Sequence, residues 1–418
     1  MFRIFLPLFL AISQVAATIL ENGQPRLDPY PGQAQLLKNG VEEGWKSYDA
    51  DAKEISYKGR WDEQHISWWS APGFKFAFTG ESLALSFGKH TDEGVLVAYR
   101  IGGQDWQFSN VTAENTYQFV GPWTNGVNLT ESNARRTDKL GLRICLHPPV
   151  LSQLIQYTVQ LSSVFVDSAA SIYKVKPFPK MVEVIGDSLS SGTFATYEGL
   201  SSWAYLFAAG LGNVEYHLTA YPGICLHDQE CWGNPRGQIY QWYRTTDTSA
   251  RAIKIYGDEP PNWDFKAQQP ADLVVINIGT NDNNPAINVP SEDYFNDYVK
   301  LVADIHRIWP HAQIVLMSLW GGFAASGDTY IQGPLFVDEI KRVYELFQEQ
   351  GDFVHYFDTT GILQQNDIAP QWHPTDVGHI KVAAHFMQWV KLKFGWEMAA
   401  TGPMVHSGTL YWNDQASY

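Results

Sequence analysis

The sequence predicts two domains, an all-β sandwich of jelly-roll type followed by a three-layer α/β domain built on a parallel sheet. The first domain is predicted to cover residues 18–175; residues 18–57 show no clear pattern, and beyond them short apolar runs alternate with polar residues without helical periodicity, which is typical of antiparallel sheets. Beyond residue 180, apolar runs alternate with amphipathic helical patterns, which is typical of a parallel sheet covered on both faces. Two prolines in the segment 176–180 disfavour helix and central strand, and they mark the boundary between the domains.

Residues 1–17 have the pattern of a secretory signal peptide. A basic start at Arg3 precedes a short apolar core, and Val15-Ala16-Ala17 supplies the small residues of a cleavage point. The apolar core is too short to span a bilayer, so we expect cleavage after Ala17 and a secreted, extracellular protein; an N-terminal anchor is the alternative. In the secretory route, the sequons at Asn110 and Asn128 are expected glycosylation sites.

The net charge of the chain excludes some classes of binding partner, and the positions of its cysteines predict which thiols form a disulfide. The chain has 29 Lys and Arg against 44 Asp and Glu, a net charge of −15, which argues against nucleic acid and anionic membranes as partners. Cys225 and Cys231 lie close together in a polar stretch, whereas Cys145 lies in an apolar run. In an oxidising compartment we expect a Cys225–Cys231 disulfide and a buried free Cys145.

In the first domain, residues 74–78 and 83–87 place apolar side chains at every second position. The glycine-containing segment 79–82 joins these two runs, and together they predict a β-hairpin with one buried face. Turn residues separate the further predicted strands, which are residues 95–101, 117–120, 140–146 and 155–166.

The second domain is predicted to cover residues 176–398. Ser201 and Ser291 stand before amphipathic patterns and can cap two of the expected helices. Residues 399–418 have no clear period and are predicted to form a surface tail. Further elements are predicted as strands at 314–319 and 354–357 and as helices at 335–347 and 380–392.

The stretch Val182–Gly192 carries the strongest indication of chemistry. A buried, β-branched strand ends at Gly186, and Asp187, Ser188 and small residues follow at once. Ligands of open α/β sheets bind at the carboxyl ends of the strands, and a serine on a sharp turn there can present its Oγ outward. Ser188 is therefore a candidate nucleophile, although Asp187 and Ser188 could also simply cap the next helix.

Two later segments supply possible partners for Ser188. Residues 271–282 form another apolar strand that ends in Gly279-Thr280-Asn281-Asp282. Near the end of the chain, His373-Pro374 precedes an amphipathic helical pattern. A nucleophile, a base and a side-chain amide on strand ends are the groups that ester hydrolysis requires.

These segments resemble the blocks of the SGNH, or GDSL-type, hydrolases. The resemblance implies that Ser188 is the nucleophile and His373 the base, with the Ser188 N–H, the Gly223 N–H and the Asn281 amide forming the oxyanion hole. Residue 190 is serine, so the Gly-x-Ser-x-Gly turn of ordinary α/β-hydrolases is absent.

The chain departs from the family pattern at the group that orients the histidine. Many SGNH enzymes carry an aspartate three residues before the histidine, and Pro370 occupies that position here. Asp367, Gln371 or a backbone carbonyl could accept the Nδ1–H of His373, and we favour a Ser–His dyad with a neutral acceptor. Asp187 is expected to be a turn and cap residue.

A β-sandwich before an SGNH domain is similar to carbohydrate esterase family two. Arg60-Trp61, the strand at residues 74–79 and the segment 262–265 carry this resemblance. It implies removal of O-acetyl groups from acetylated plant polysaccharides such as xylan and glucomannan, with the 6-O position as a family preference. No cofactor and no metal are implied, since the histidines and acids show no ligand spacing.

Tryptophans near the predicted strand ends are candidates for binding a sugar, because flat aromatic faces suit pyranose rings. Trp372, beside the base, is the first candidate and Trp320 the second. Two alternatives to a polysaccharide acetylesterase stay open: a lipase-like SGNH esterase, and a carbohydrate-binding protein whose hydrolase domain is inactive. We expect a monomer in each case.

Overall fold

The computed structural model describes residues 20–21, 24–25, 34–41, 43–101, 106–121, 138–144, 157–368 and 372–399, without the side chains of 20–21, 24–25 and 138–144. Five sequence-based predictions lie outside this range: the signal peptide, the Asn128 sequon, the free Cys145, the Gln371 acceptor and the tail beyond residue 399. No helix in the described part of the chain is long and apolar enough to cross a membrane.

The first domain is an antiparallel β-sandwich, as the sequence predicts. Its two main sheets have the strand orders β10-β9-β12-β7-β14, with β5 also paired to β7, and β3-β11-β8-β13-β4, with β6 also paired to β13. An aromatic and aliphatic core fills the space between them. In chain order the strands are β1 (Leu20–Glu21), β2 (Gln24–Pro25), β3 (Gln35–Leu36), β4 (Trp45–Asp49), β5 (Ser56–Lys58), β6 (Ile66–Ser67), β7 (Gly73–Phe78), β8 (Leu83–Phe87), β9 (Val95–Ile101), β10 (Gln107–Val111), β11 (Thr116–Val120), β12 (Asp138–Ile144), β13 (Val159–Asp167) and β14 (Ile172–Tyr173).

The predicted hairpin between residues 74 and 87 is wrong. Strand β7 pairs with β12, β14 and β5, whereas β8 pairs with β11 and β13, so the two strands belong to opposite sheets. The joining turn is held by Asp167, whose carboxylate accepts the backbone N–H of Glu81 and of Ser82. Alternation identified the side chains that face the core, but it does not distinguish a hairpin from a turn that crosses between two sheets.

The second domain contains the predicted parallel sheet, with the strand order β16-β15-β17-β18-β21. The last sandwich strand ends at Tyr173 and the first parallel strand begins at Lys180. A short hairpin, β19–β20, follows the fourth parallel strand. The strands are β15 (Lys180–Gly186), β16 (Val214–Ala220), β17 (Leu273–Asn277), β18 (Gln313–Met317), β19 (Phe323–Ser326), β20 (Thr329–Gln332) and β21 (Val354–Phe357).

Helices cover both faces of this sheet and complete three layers. One apolar core contains side chains of α2 and α7, and the other contains side chains of α5 and α6. Ser202 rather than Ser201 caps α2, and Ser291 is the first residue of α5, where Pro290 holds the cap position. The helices are α1 (Ser188–Ser191), α2 (Trp203–Leu211), α3 (Gln238–Gln241), α4 (Ala250–Tyr256), α5 (Ser291–Ile308), α6 (Val337–Gln348) and α7 (Asp376–Phe394).

Asn110, the predicted glycosylation site within the described residues, lies on β10. Its side chain is half-buried, and its Nδ2 donates a hydrogen bond to the carbonyl of Gly94 (2.8 Å). Glycosylation at this residue stays a prediction.

Candidate active site

Ser188 lies at the carboxyl end of β15, on the sharp turn that begins α1. The Asp187 carboxylate caps the helix by accepting the N–H of Leu189 (2.9 Å), as the sequence predicts. A side chain at Gly186 would approach Ser190 Oγ to 2.3 Å, so only glycine permits so tight a turn. The turn leaves Ser188 Oγ facing the edge of the sheet where the neighbouring strands also end.

His373 reaches Ser188 from the segment before α7. Its Nε2 is 2.8 Å from Ser188 Oγ, the distance of a hydrogen bond. The backbone around it is fixed by a bridge between Ile368 and Pro374 and by the hydrogen bond from Thr375 N to Asp367 O (2.8 Å). The predicted nucleophile and base are therefore in contact although 185 residues separate them.

Asp367, one candidate for orienting His373, is engaged elsewhere. Its carboxylate accepts two hydrogen bonds from Lys381 Nζ (2.7 and 2.9 Å) and one from the backbone N–H of Gln364 (2.8 Å). Its backbone carbonyl binds the segment that follows the histidine. Asp367 thus fixes the shape of the loop that carries His373.

His379 has a structural role in α7. It is fully buried, and its Nδ1 accepts the backbone N–H of Trp203 (3.1 Å). Burial lowers the pKa of its imidazole to about 3, so His379 is neutral at ordinary pH.

The three predicted oxyanion donors follow three adjacent strands, β16, β15 and β17. Gly223 is buried in a left-handed backbone conformation (φ 72°) on the turn after β16. Asn281 Nδ2 donates to the carbonyl of Ile224 (2.8 Å), which fixes the amide beside that turn. Because an amide nitrogen carries two hydrogens, Asn281 keeps one for a substrate oxygen.

Two buried carboxylates lie beside the loops that carry the predicted oxyanion donors. Asp282 accepts the backbone N–H groups of Leu226 (2.8 Å) and His227 (3.0 Å), which joins the loop after β17 to the loop after β16. Burial raises the pKa of Asp282 to about 6 and that of Asp187 to about 7, and the charge of Asp282 contributes to the shift of Asp187. The sequence analysis found Asp282 at the end of the Gly279-Thr280-Asn281-Asp282 segment but did not predict a role for it, because the neighbouring residues do not indicate which loop it binds.

The predicted Cys225–Cys231 disulfide is confirmed, with a Cα–Cα distance of 5.9 Å. Both cysteines are fully buried. The bond closes a short loop two residues after Gly223 and so adds a covalent restraint next to this predicted oxyanion donor.

The two tryptophans predicted to bind substrate lie in different environments. Trp372 is 68% exposed and has a left-handed backbone (φ 68°), and its indole lies over Gly322. Trp320 is 2% exposed and packs in the apolar core against the sheet. Because a platform for a sugar must be accessible, Trp372 can contact a ligand with its ring face, whereas Trp320 offers almost no surface.

Phe194 is a site residue that the sequence analysis missed. Its ring contacts His373 edge to face at a centroid distance of 4.9 Å, and its side chain is 46% exposed. Its φ of 70° is unusual for an aromatic residue, and such strain is concentrated at functional sites. Phe194 lies in a loop without periodicity, so its position after Gly192 was the sole indication in the sequence.

The described residues contain no group of three or more His, Cys, Asp or Glu side chains arranged to hold a metal ion.

A serine–histidine pair at the carboxyl edge of a parallel sheet, with a glycine and an asparagine on the neighbouring strand ends, defines an SGNH-type hydrolase domain. In agreement, residues 184–381 match the GDSL-like lipase/acylhydrolase family. This match lies within the second domain and confirms the resemblance to GDSL-type hydrolases found in the sequence. No curated protein matches the chain in sequence.

Solved structures of family two carbohydrate esterases share the fold over most of this chain. The enzyme from Clostridium thermocellum, determined with cellohexaose, has 19% identity, a TM-score of 0.62 and coverage of 82% of this chain and 99% of its own. An acetyl xylan esterase from Butyrivibrio proteoclasticus has 15% identity, a TM-score of 0.62 and coverage of 84% and 100%. A salicylyl-acyltransferase of a tetracycline biosynthetic pathway also matches, with 16% identity, a TM-score of 0.57 and coverage of 86% and 100%. The fold alone therefore does not determine the acyl group or its acceptor.

Proposed function

We propose that the protein is a secreted serine esterase that removes O-acetyl groups from plant cell-wall polysaccharides such as xylan and glucomannan. The observation that carries this proposal is the 2.8 Å contact between Ser188 Oγ and His373 Nε2 next to the oxyanion donors. A nucleophile, a base and hydrogen-bond donors for the oxyanion are the groups that acyl transfer requires.

The first half of the reaction forms an acetyl-enzyme. Ser188 Oγ attacks the acetyl carbonyl carbon while its proton passes to His373 Nε2. The negative charge that develops on the carbonyl oxygen is stabilised by the Ser188 and Gly223 N–H groups and by the free amide hydrogen of Asn281. His373 then returns its proton to the sugar oxygen, the ester C–O bond breaks, and the deacetylated sugar leaves.

The second half of the reaction restores the enzyme. Water attacks the acetyl carbonyl while His373 Nε2 accepts its proton, and the same three donors stabilise the second tetrahedral intermediate. The proton then passes to Ser188 Oγ as its bond to the acetyl carbon breaks, and acetate is released.

The preference for a carbohydrate substrate is supported by the surroundings of the dyad. Trp372 presents an exposed indole face in the residue directly before the base. Apolar faces of pyranose rings pack on such surfaces. The solved structures with the same two-domain fold include family two carbohydrate esterases and an acetyl xylan esterase, which is consistent with an acetylated polysaccharide here.

A carbohydrate-binding protein with an inactive hydrolase domain is the second candidate. One solved esterase with this fold, at 17% identity and a TM-score of 0.60, is described as having an active site with divergent catalytic and non-catalytic binding functions. An exposed aromatic beside the dyad would serve binding as well as hydrolysis, so activity itself must be measured.

The test is acetate release by the mature protein from acetylated xylan and acetylated glucomannan, alongside a long-chain acyl ester. Ser188→Ala is the matched variant, since it removes only the nucleophilic oxygen. Acetate release that depends on Ser188, with little action on the long chain, would support the proposal. Glycan binding by both forms without any ester hydrolysis would support the second candidate, and a preference for the long chain would indicate a lipase-like enzyme.

A further inference from the structure

A segment of the β-sandwich, Trp68–Ala71, lies against the outer strand of the parallel sheet. Ser70 forms an antiparallel bridge with Leu218 of β16. Its Oγ also donates to the carbonyl of Ala220, the last residue of that strand (2.8 Å). Both contacts are buried, so the first domain extends the sheet of the second at the strand that leads to the oxyanion glycine.

Trp69 continues this contact to the next residue of the chain. Its indole N–H donates to the carbonyl of Thr245 (2.9 Å), and its ring packs edge to face on Tyr221 (6.4 Å between centroids, interplanar angle 84°). Trp69 is 1% exposed, so the contact excludes water. Tyr221 is two residues before Gly223.

Tyr221 in turn sets the geometry of the oxyanion turn. Its backbone N–H binds the carbonyl of Gly186, in the turn that presents the nucleophile (3.2 Å), and its carbonyl accepts the N–H of Ile224 (3.4 Å). The Ile224 carbonyl then accepts the Asn281 amide (2.8 Å). Continuous contacts therefore run from Trp69 and Ser70 to both side-chain and backbone donors of the oxyanion hole.

A buried charge pair also joins the two domains at this contact. Arg60, from the sandwich, is completely buried and faces Glu183 on β15 at 3.5 Å. Its guanidinium also donates to the carbonyls of Trp242 and Arg244, the latter at 2.8 Å and directly before the Thr245 carbonyl that Trp69 binds. Separating the domains would remove the hydrogen bonds that Arg60 makes to these two carbonyls and its ion pair with Glu183, and losing buried contacts of a charged group is costly.

We propose that Trp69 and Ser70 are positioning residues for the oxyanion hole, so that the β-sandwich supports the chemical step itself and is not a separable glycan-binding module. The inference rests on the proposed esterase activity, and it assigns a role to the first domain. A donor displaced by a fraction of an ångström stabilises the transition state less while substrate affinity is largely unchanged.

The test compares two adjacent tryptophans in the full-length protein. Trp68 and Trp69 are both 1% exposed, and each indole donates one hydrogen bond, Trp68 to Asp62 (3.0 Å) within the sandwich and Trp69 to Thr245. Trp69→Phe should lower kcat on 4-nitrophenyl acetate about tenfold with KM unchanged, because a small ester reports the oxyanion hole alone. Trp68→Phe, the matched control, should lose at least as much thermal stability but keep kcat within about twofold. Ser70→Ala should change kcat in the same direction as Trp69→Phe.

Equal kcat losses in the two tryptophan variants, or losses that appear on polysaccharide only, would overturn the inference. If the wild-type protein hydrolyses no ester, the proposed function is contradicted. The positioning role is then tested by amide hydrogen exchange, which does not require activity. Exchange across residues 224–226 should rise at least about tenfold in Trp69→Phe and not in Trp68→Phe. Unchanged exchange in Trp69→Phe would refute the positioning role independently of activity.

Discussion

Asp187→Asn should change how the stability of the protein depends on pH. Asp187 is completely buried beside Ser188, and burial raises the pKa of its carboxyl from 3.8 to about 7. Asparagine has nearly the same shape and can still accept the Leu189 N–H through its Oδ1, so the helix cap is retained. The substitution therefore removes the titrating proton while it keeps the hydrogen bond that caps the helix.

The direction follows from the protons bound in each state. Between about pH 4 and pH 7 the unfolded chain has lost the Asp187 proton while the folded protein retains it, so the free energy of unfolding falls as pH rises. The stability associated with this proton is fully present below pH 3.8 and is lost as pH rises through about 7. A shift of about 3 units at 1.36 kcal/mol per unit corresponds to about 4 kcal/mol.

The assay is denaturant unfolding of the wild type and of Asp187→Asn at several values between about pH 4 and pH 7.5. The difference in unfolding free energy, variant minus wild type, should become more positive by about 4 kcal/mol across this range. In an Asp282→Asn background the rise should be smaller, because the charge of Asp282 contributes to the raised pKa of Asp187. A difference that does not vary with pH would refute the raised pKa and the burial argument behind it.

Three further substitutions test the site and its support. Asn281→Ala should lower kcat on acetylated substrates by about 100-fold or more with KM little changed, and an equal change in KM would contradict an oxyanion role. Arg60→Met should reduce the free energy of unfolding by about 3–5 kcal/mol, because the buried carboxylate of Glu183 loses its counter-ion; an unchanged melting temperature would exclude this. Trp372→Ala should raise KM for acetylated oligosaccharides while leaving 4-nitrophenyl acetate hydrolysis within about twofold, and equal losses on both substrates would indicate support of the base and not sugar binding.

The local features of the site could be predicted from the sequence because each is encoded within a few residues. A β-branched run that stops at Gly186 predicts a strand end, and Ser188 follows it directly. The same reasoning places Asn281 after the next strand of the sheet. Carboxyl ends of neighbouring parallel strands meet at one edge, so the order of the motifs was enough to bring these residues together.

The tertiary contacts of the site could not be predicted, because no local pattern encodes them. In the sequence, Glu183 is a charged residue within an apolar strand, and nothing near it indicates a partner. Its partner Arg60 is 123 residues away in the other domain. The burial of Trp320 and the exposure of Trp372 depend on which loops cover each ring. Residue type does not distinguish the two tryptophans, since most large aromatic side chains are expected to be buried.

Strand β16 is an outer strand of the parallel sheet, yet all seven of its residues are buried. An uncovered outer strand offers unpaired backbone groups to any other extended chain and is a common origin of aggregation. Here the bridge between Ser70 and Leu218 covers it with the preceding domain. A recombinant protein shortened to the parallel-sheet domain would present an apolar edge to its neighbours, so expression and fusion designs should keep the two domains together.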